Sequence, residues 1–165
     1  MSTNLSDHNT RVARHIIVAA AHALLAEPMS VHYTMGADRW DGIAHKKTIH
    51  GGNLLPFKGD CSSTASWMLW LALHHSFGLH DVVNGAAWRA GFTGTMVKHG
   101  TGVSAFREGR IGDCIFYGGS RDVPEHVAVK IAPGHVFSHG SEGGPFYLPV
   151  AYRSDVHPVA RRYFH

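Results

Sequence analysis

The sequence predicts an α+β fold, with helices first and a small antiparallel sheet after them. Three observations carry this expectation. Early in the chain Val12, Ile16, Ala19, Ala20, Ala23 and Leu24 recur at helical spacing. A second apolar run, from Cys61 to His75, follows Asp60, a residue suited to capping a helix start. Beyond Gly112 the pattern changes to short runs rich in Val, Ile and Phe, separated by turn residues. Helices followed by strands in series give an α+β class.

Taken in order, the spacing predicts a first helix over 9–26, capped by Asp7 or Asn9 and stopped by Pro28. Arg11 and Arg14 followed by apolar residues 16–26 imitate a signal peptide, but the periodicity and the interrupting His22 favour a packed amphipathic helix. Residues 32–60, with scattered Gly, Lys and His, read as a long loop. The second helix begins near Cys61 and stops by Gly78, and a shorter one is expected over 82–90, ended by Gly91. Three strands follow at 113–117, 126–131 and 135–139, the last two joined by a Pro133–Gly134 turn. No repeat or linker interrupts the chain, so residues 1–165 read as one domain.

Composition excludes several classes. With 165 residues and 44% hydrophobic content the chain can bury a core, so it is not a disordered segment. Two cysteines do not make a disulfide framework. No apolar run reaches the roughly 18 residues of a membrane span, so no stable insertion is expected. A net charge of +3 with 15 His suits an anionic partner, increasingly so below about pH 6.5. Aromatic residues are not interleaved with Lys and Arg, so nucleic acid is not the expected partner. Arg161 and Arg162 read as a solvated end, and Trp67, Met68, Leu69 and Trp70 as core. Gly100–Thr101–Gly102 lacks the third glycine of a dinucleotide loop, and Gly140–Ser141 lacks the spacing of a serine nucleophile elbow.

The chemistry-bearing feature is Cys61. In the first turn of a helix, free N–H groups and the helix dipole favour an anion. There a thiol pKa falls, and the same N–H groups can hold a developing oxyanion. A small buried hydrophobe fits the position equally well. Cys114, followed by Ile115, Phe116 and Tyr117, reads as inert core. A nucleophilic Cys needs a His base and a group to orient it. His126 opens a strand whose Val127, Val129 and Ile131 share one face. That strand travels about 17 Å to Ile131, and the return from His135 to His139 covers about 13 Å. His139 therefore lies beside His126 again and is the expected orienter, while His135 sits at the far turn. His135 and His139 have zinc-helix spacing but lie on a strand, too far apart to share an ion. A zinc site joining Cys61, His126 and His139, as in some zinc amidases, is the minor alternative; no cofactor is expected.

The ordered set Asp60-Cys61-Ser62-Ser63, Gly112-Asp113-Cys114-Ile115-Phe116-Tyr117-Gly118, Glu125-His126-Val127-Ala128-Val129 and Ser138-His139 resembles the NlpC-type, papain-like cysteine peptidases that cut peptidoglycan stem peptides. The stretches from Asn84 to Thr95 and from His139 to Pro149 look similar to the N-terminal peptidase domains of endolysins from phages of mycobacteria and related actinobacteria. The likeness runs from about His32 to the end. It implies a papain-like NlpC-type fold, in which a Cys-bearing helix packs on a small antiparallel sheet. It also implies an acyl-enzyme mechanism with Cys61 as nucleophile, His126 as general base and acid, and His139 as orienter. Tyr33 matches the tyrosine at the site wall; Asp60 and Ser62 match positions that meet the charged amine of the stem peptide. The 27 residues between Tyr33 and Cys61 exceed the usual spacing and are expected to loop over the site. The step from His126 to His139 is one residue longer than usual, an excess the Pro133–Gly134 turn can absorb.

The resemblance implies a lysin whose partner is a stem peptide. Monomer is the default expectation, and with no signal peptide read in the sequence it is expected to collect in the host cytoplasm until release to the wall. Related lysins often carry further catalytic and wall-binding domains. The rival readings are an injected or secreted amidase effector of the same fold, an acyltransferase, and a non-catalytic wall-binding or phage structural module.

Overall fold

The computed structural model describes residues 2–105, 107–120, 122–141, 143–153 and 158–165. Helix α1 spans Asp7–Ala26, and its N-cap is Ser6, whose hydroxyl accepts the Asn9 N–H, not Asp7 or Asn9. Ala13, Ile17, Ala20, Ala21 and Leu24 form its buried stripe, so the segment that imitates a signal peptide packs into the core. No helix among the described residues is long and apolar enough to cross a membrane.

The expected loop before Cys61 is largely ordered. Strand β1 (Val31–Tyr33) lies parallel to β2 (Phe57–Gly59), with a 3₁₀ turn at Ala37–Trp40 and the short helix α2 (Asp41–Ala44) between them. Ile43 joins the core, and a Cβ on Gly42 would meet the Trp67 ring at 2.6 Å. The segment therefore packs beside the Cys61 helix in part, where a loop over the site was expected.

Helix α3 (Cys61–Leu69) continues as a π-helical turn over Trp70–His75, matching the expected extent. Trp67, Met68, Leu69 and Trp70 are all buried, as core residues at helical spacing should be. The expected helix over 82–90 does not form. The Asp81 carboxylate takes the Val83 and Asn84 N–H groups at 2.8 and 3.1 Å, and Gly85 has φ +78°, so the chain turns instead. A short helix, α4, lies further on at Thr93–Met96.

The α+β class holds, and the sheet is larger than expected. Strands β3 (Thr101–Val103), β4 (Cys114–Tyr117), β5 (His126–Ala132), β6 (His135–Gly140), β7 (Gly143–Pro149) and β8 (Val159–Arg162) form one antiparallel sheet in the order β3-β8-β4-β5-β6-β7. Glu142, in the stretch compared with lysins, lies outside the described residues.

The two faces of this sheet bury different sets. Phe116, Val127, Val129 and Phe137 pack towards α1 and α3, together with Cys114, which is fully buried. Ile115, Tyr117, Ala128, Val136 and Ala160 form a second, smaller core on the opposite face. Arg162 is not a solvated end. Its Nε and Nη2 reach the two Asp113 carboxylate oxygens at 2.9 and 2.8 Å, and both residues are buried. Arg161 Nε donates to the Val97 carbonyl, and so is also tied down.

Candidate functional site

Cys61 stands at the first position of α3, after an N-terminus built by Asp60. One Asp60 oxygen accepts the Ser63 N–H at 2.7 Å and the Ser62 hydroxyl at 2.9 Å, while the Ser63 hydroxyl accepts the Asp60 N–H at 2.8 Å. This reciprocal cap fixes where the helix starts, and with it the position of the thiol. The other Asp60 oxygen takes Arg39 Nη1 at 2.7 Å. Burial alone would raise the Asp60 carboxyl, but the Ser63 N–H, Arg39 and Ser62 outweigh it and hold its pKa below the ordinary value. Asp60 and Ser62, expected to meet a substrate amine, are both buried and engaged in this cap. Arg39 already supplies the cation.

The environment of the thiol departs from the sequence expectation. Burial pushes the Cys61 pKa up to about 11; the Val127 N–H, bonded to the sulfur, opposes this, and the Asp60 charge reinforces it. The first-turn N–H groups of Ser62 and Cys61 also favour the anion, but they do not overcome desolvation. With this shift the thiol form predominates near neutrality, and thiolate chemistry there would require a base to take the proton.

Strand register sets which histidine shares a face with Cys61. Tyr117 is directly opposite His126, and cross-strand partners share a face. Tyr117 belongs to the second core, so His126 points there too. Its Nε2 lies 2.9 Å from the Ser138 hydroxyl, and its ring sits 6.2 Å from Tyr117 and 6.5 Å from Tyr152. Between β5 and β6, Val129 opposes Phe137, and continuing that register sets Val127 opposite His139. His139 therefore points to the α3 face. Its Nδ1 is 2.9 Å from the Thr64 hydroxyl, and the Tyr33 ring meets it edge-on at 5.9 Å.

The structure thus gathers Cys61, Thr64, His139 and Tyr33 on one face of the sheet and leaves His126 on the other. Residues 61 and 64 are three apart on a helix, so their Cβ atoms lie about 5–6 Å apart. Tyr33 arrives through β1, where it pairs with Gly59, two residues before Cys61. Thr64 and Arg39 were missed in the sequence. The signal for Thr64 was present, since a hydroxyl one turn after a candidate nucleophile shares its face. His135 lies at the far turn, stacked on Tyr147 at 4.6 Å. The three residues of the zinc alternative do not converge, and among the described residues no cluster of three His, Cys, Asp or Glu side chains has metal-binding geometry.

Comparison with models of known protein families and with curated proteins found no match.

Proposed function

We propose that the protein is a cysteine hydrolase of the papain-like, NlpC type that opens an amide bond in peptidoglycan stem peptides. The observation that carries this reading is the Thr64–His139 hydrogen bond one turn from Cys61. It sets an imidazole on the same helix face as a thiol at a capped helix start. With Nδ1–H donating to Thr64, the lone pair lies on Nε2 and takes the Cys61 proton as sulfur attacks the carbonyl carbon. The N–H of Cys61 and the Tyr33 hydroxyl stabilise the oxyanion. Collapse of the tetrahedral species expels the amine, protonated by His139, and leaves a thioester. Water, deprotonated by His139, then releases the carboxylic acid and the thiol.

The assignment transfers the base from His126 to His139, with Thr64 as orienter. His126, bonded to Ser138, supports the strand pair from behind. The peptidoglycan substrate rests on the ordered motifs around Cys61, Asp113, His126 and His139, and the net charge of +3 suits an anionic wall. The test is digestion of purified diaminopimelate-type peptidoglycan, with mass spectrometry of released peptides. Wild type and His126→Ala should release fragments with a new amine and carboxylate; Cys61→Ala and His139→Ala should not. Equal release by Cys61→Ala would end the cysteine mechanism. Loss with His126→Ala but not His139→Ala would return the base to His126.

A further inference from the structure

A second charged constellation lies away from the thiol, where the loop after β3 meets the end of β8. Arg107, Glu108, Gly109, Arg110 and Arg162 line a cavity of about 490 Å³. Lys130, buried on β5, brings its ammonium to the same wall: a Cβ on Gly109 would sit 3.0 Å from Nζ. Arg14 approaches from α1. Its Nε is buried with no hydrogen-bond partner, and its guanidinium carbon lies 6.0 Å from the Phe164 ring centre. Burial, then the charges of Arg110 and Arg162, depress its pKa, with Asp113 pulling the other way.

Asp113 is fully committed among these groups, and Glu108 in part. Asp113 takes Nε and Nη2 of Arg162 and also the Arg110 N–H at 2.7 Å. Glu108 turns its carboxylate onto the Ser104 N–H at 3.0 Å, while its carbonyl accepts Arg162 Nη2 at 2.7 Å. These bonds hold the Arg162 fork rigid and leave its Nη1 without a protein acceptor among the described residues. Five cations, Arg14, Arg107, Arg110, Lys130 and Arg162, thus surround two carboxylates, of which Asp113 has both oxygens engaged and Glu108 one. Gathering like charges around a concave site costs energy that an oxyanion offsets. Planar guanidiniums suit a phosphate-type anion, which accepts several N–H bonds at once.

We infer that this cavity is a binding site for a phosphate-type oxyanion, held by Arg107 and Arg110 against a floor formed by Arg162 and Lys130. It lies about 10 Å along β5 from the Val127 that abuts Cys61, counting three residues of strand. The site is therefore separate from the thiol, and it does not depend on the proposed hydrolase reading.

Calorimetric titration of inorganic phosphate into the full chain, at ionic strength fixed with chloride, tests it. Wild type and Cys61→Ala should show saturable binding of equal affinity. The double variant Arg107→Gln/Arg110→Gln should bind at least tenfold more weakly. Both residues are exposed, and an unchanged far-ultraviolet spectrum would show that the variant folds. No saturable heat, or equal affinity in the double variant, would overturn the site. A parallel titration with linear polyphosphate separates the sources. Tighter binding than phosphate, lost in the double variant, assigns the site to phosphate borne on a polymer; binding no tighter assigns it to the free ion. Polyphosphate binding that survives the double substitution would instead reflect general basicity and count against the site.

Discussion

Thr64 Oγ1 lies 2.9 Å from His139 Nδ1, a contact across 75 residues that joins the Cys61 helix to the strand β6. The bond holds the rotation of the imidazole, and in the proposed mechanism Nδ1–H donates to Thr64 and leaves the lone pair on Nε2, as the orienting group of a nucleophile–base pair does. Thr64→Val keeps the shape and removes the acceptor. We expect kcat on a stem-peptide substrate to fall about tenfold, equivalent to about 1.4 kcal/mol, with little change in KM. Thr64→Ser should restore most of it. A purely structural role would lower thermal stability with both variants and leave kcat of the folded protein unchanged.

Gly59 makes that bond possible. A Cβ there would sit 2.5 Å from the Thr64 hydroxyl and 3.2 Å from the Ser63 hydroxyl, so it collides with the His139 partner and with the helix cap together. Gly59→Ala should cost about 1–3 kcal/mol of stability through overpacking. Under the proposed mechanism the surviving folded protein should also lose hydrolytic activity. Urea unfolding and turnover measured on the same preparation check both; a stable, fully active variant would show that Thr64 need not hold its place.

The elements legible in the sequence are those with long, regular patterns: α1, the Cys61 helix, and strands β4 to β6. The missed strands are three or four residues long, as β1, β2, β3 and β8 are, or broken by Gly and Pro, as β7 is with Gly143, Gly144, Pro145 and Pro149. Proline can sit in β7 because it is the outermost strand. The histidine assignment turned on parity. Counting distance along the hairpin brings His139 back beside His126, and it does return there. The register, however, shifts between Lys130 and Ala132, and extending the Val129–Phe137 pairing sets Val127, not His126, opposite His139. One residue of register exchanges the two faces of a strand. The buried Asp113–Arg162 fork was equally hidden, because its partners are 49 residues apart.

Acid stability should report the Asp60 cap. Its carboxyl titrates below the ordinary value in the folded chain, so the stabilisation it gives is whole above the unfolded pKa of about 3.9 and is lost as pH falls through the folded one. Arg39 is one of the groups holding it down. Arg39→Ala should therefore move the midpoint of acid unfolding to higher pH and lower stability by a constant amount from neutral to alkaline pH. An unchanged acid limb would mean that the Ser63 N–H and Ser62 hydroxyl suffice without the ion pair.

The Asp113–Arg162 fork should be the costliest single contact to break. Asp113→Ala leaves the buried Arg162 guanidinium without its carboxylate, a loss of about 3–5 kcal/mol. The double variant Asp113→Leu/Arg162→Met should recover part of it, because the unpaired charge is gone. Chemical denaturation of the three proteins checks the order; a single variant within 1 kcal/mol of wild type would place the charge in water, contrary to its burial.

The last prediction separates the two histidines at the sulfur itself. With its pKa pushed up to about 11 by burial, an isolated Cys61 thiol would be ionised to only about one part in 10⁴ at pH 7. Iodoacetamide reacts with the thiolate, so alkylation of Cys61 near neutrality measures what the neighbouring imidazole contributes. Wild type and His126→Ala should react alike at pH 7, while His139→Ala should react at least tenfold more slowly and regain rate only as pH climbs towards 11. The stability sign follows from the same shift. The folded chain holds the thiol proton more tightly than the unfolded chain, whose cysteine titrates near 8.5. This contribution is therefore complete below about pH 8.5 and declines as pH rises towards 11. Cys61→Ala removes that share of the alkaline slope, while buried Cys114, also pushed up, keeps its own. If His126→Ala slows alkylation as much as His139→Ala does, the sulfur is coupled to both faces of the sheet, and the base cannot be assigned to His139 alone.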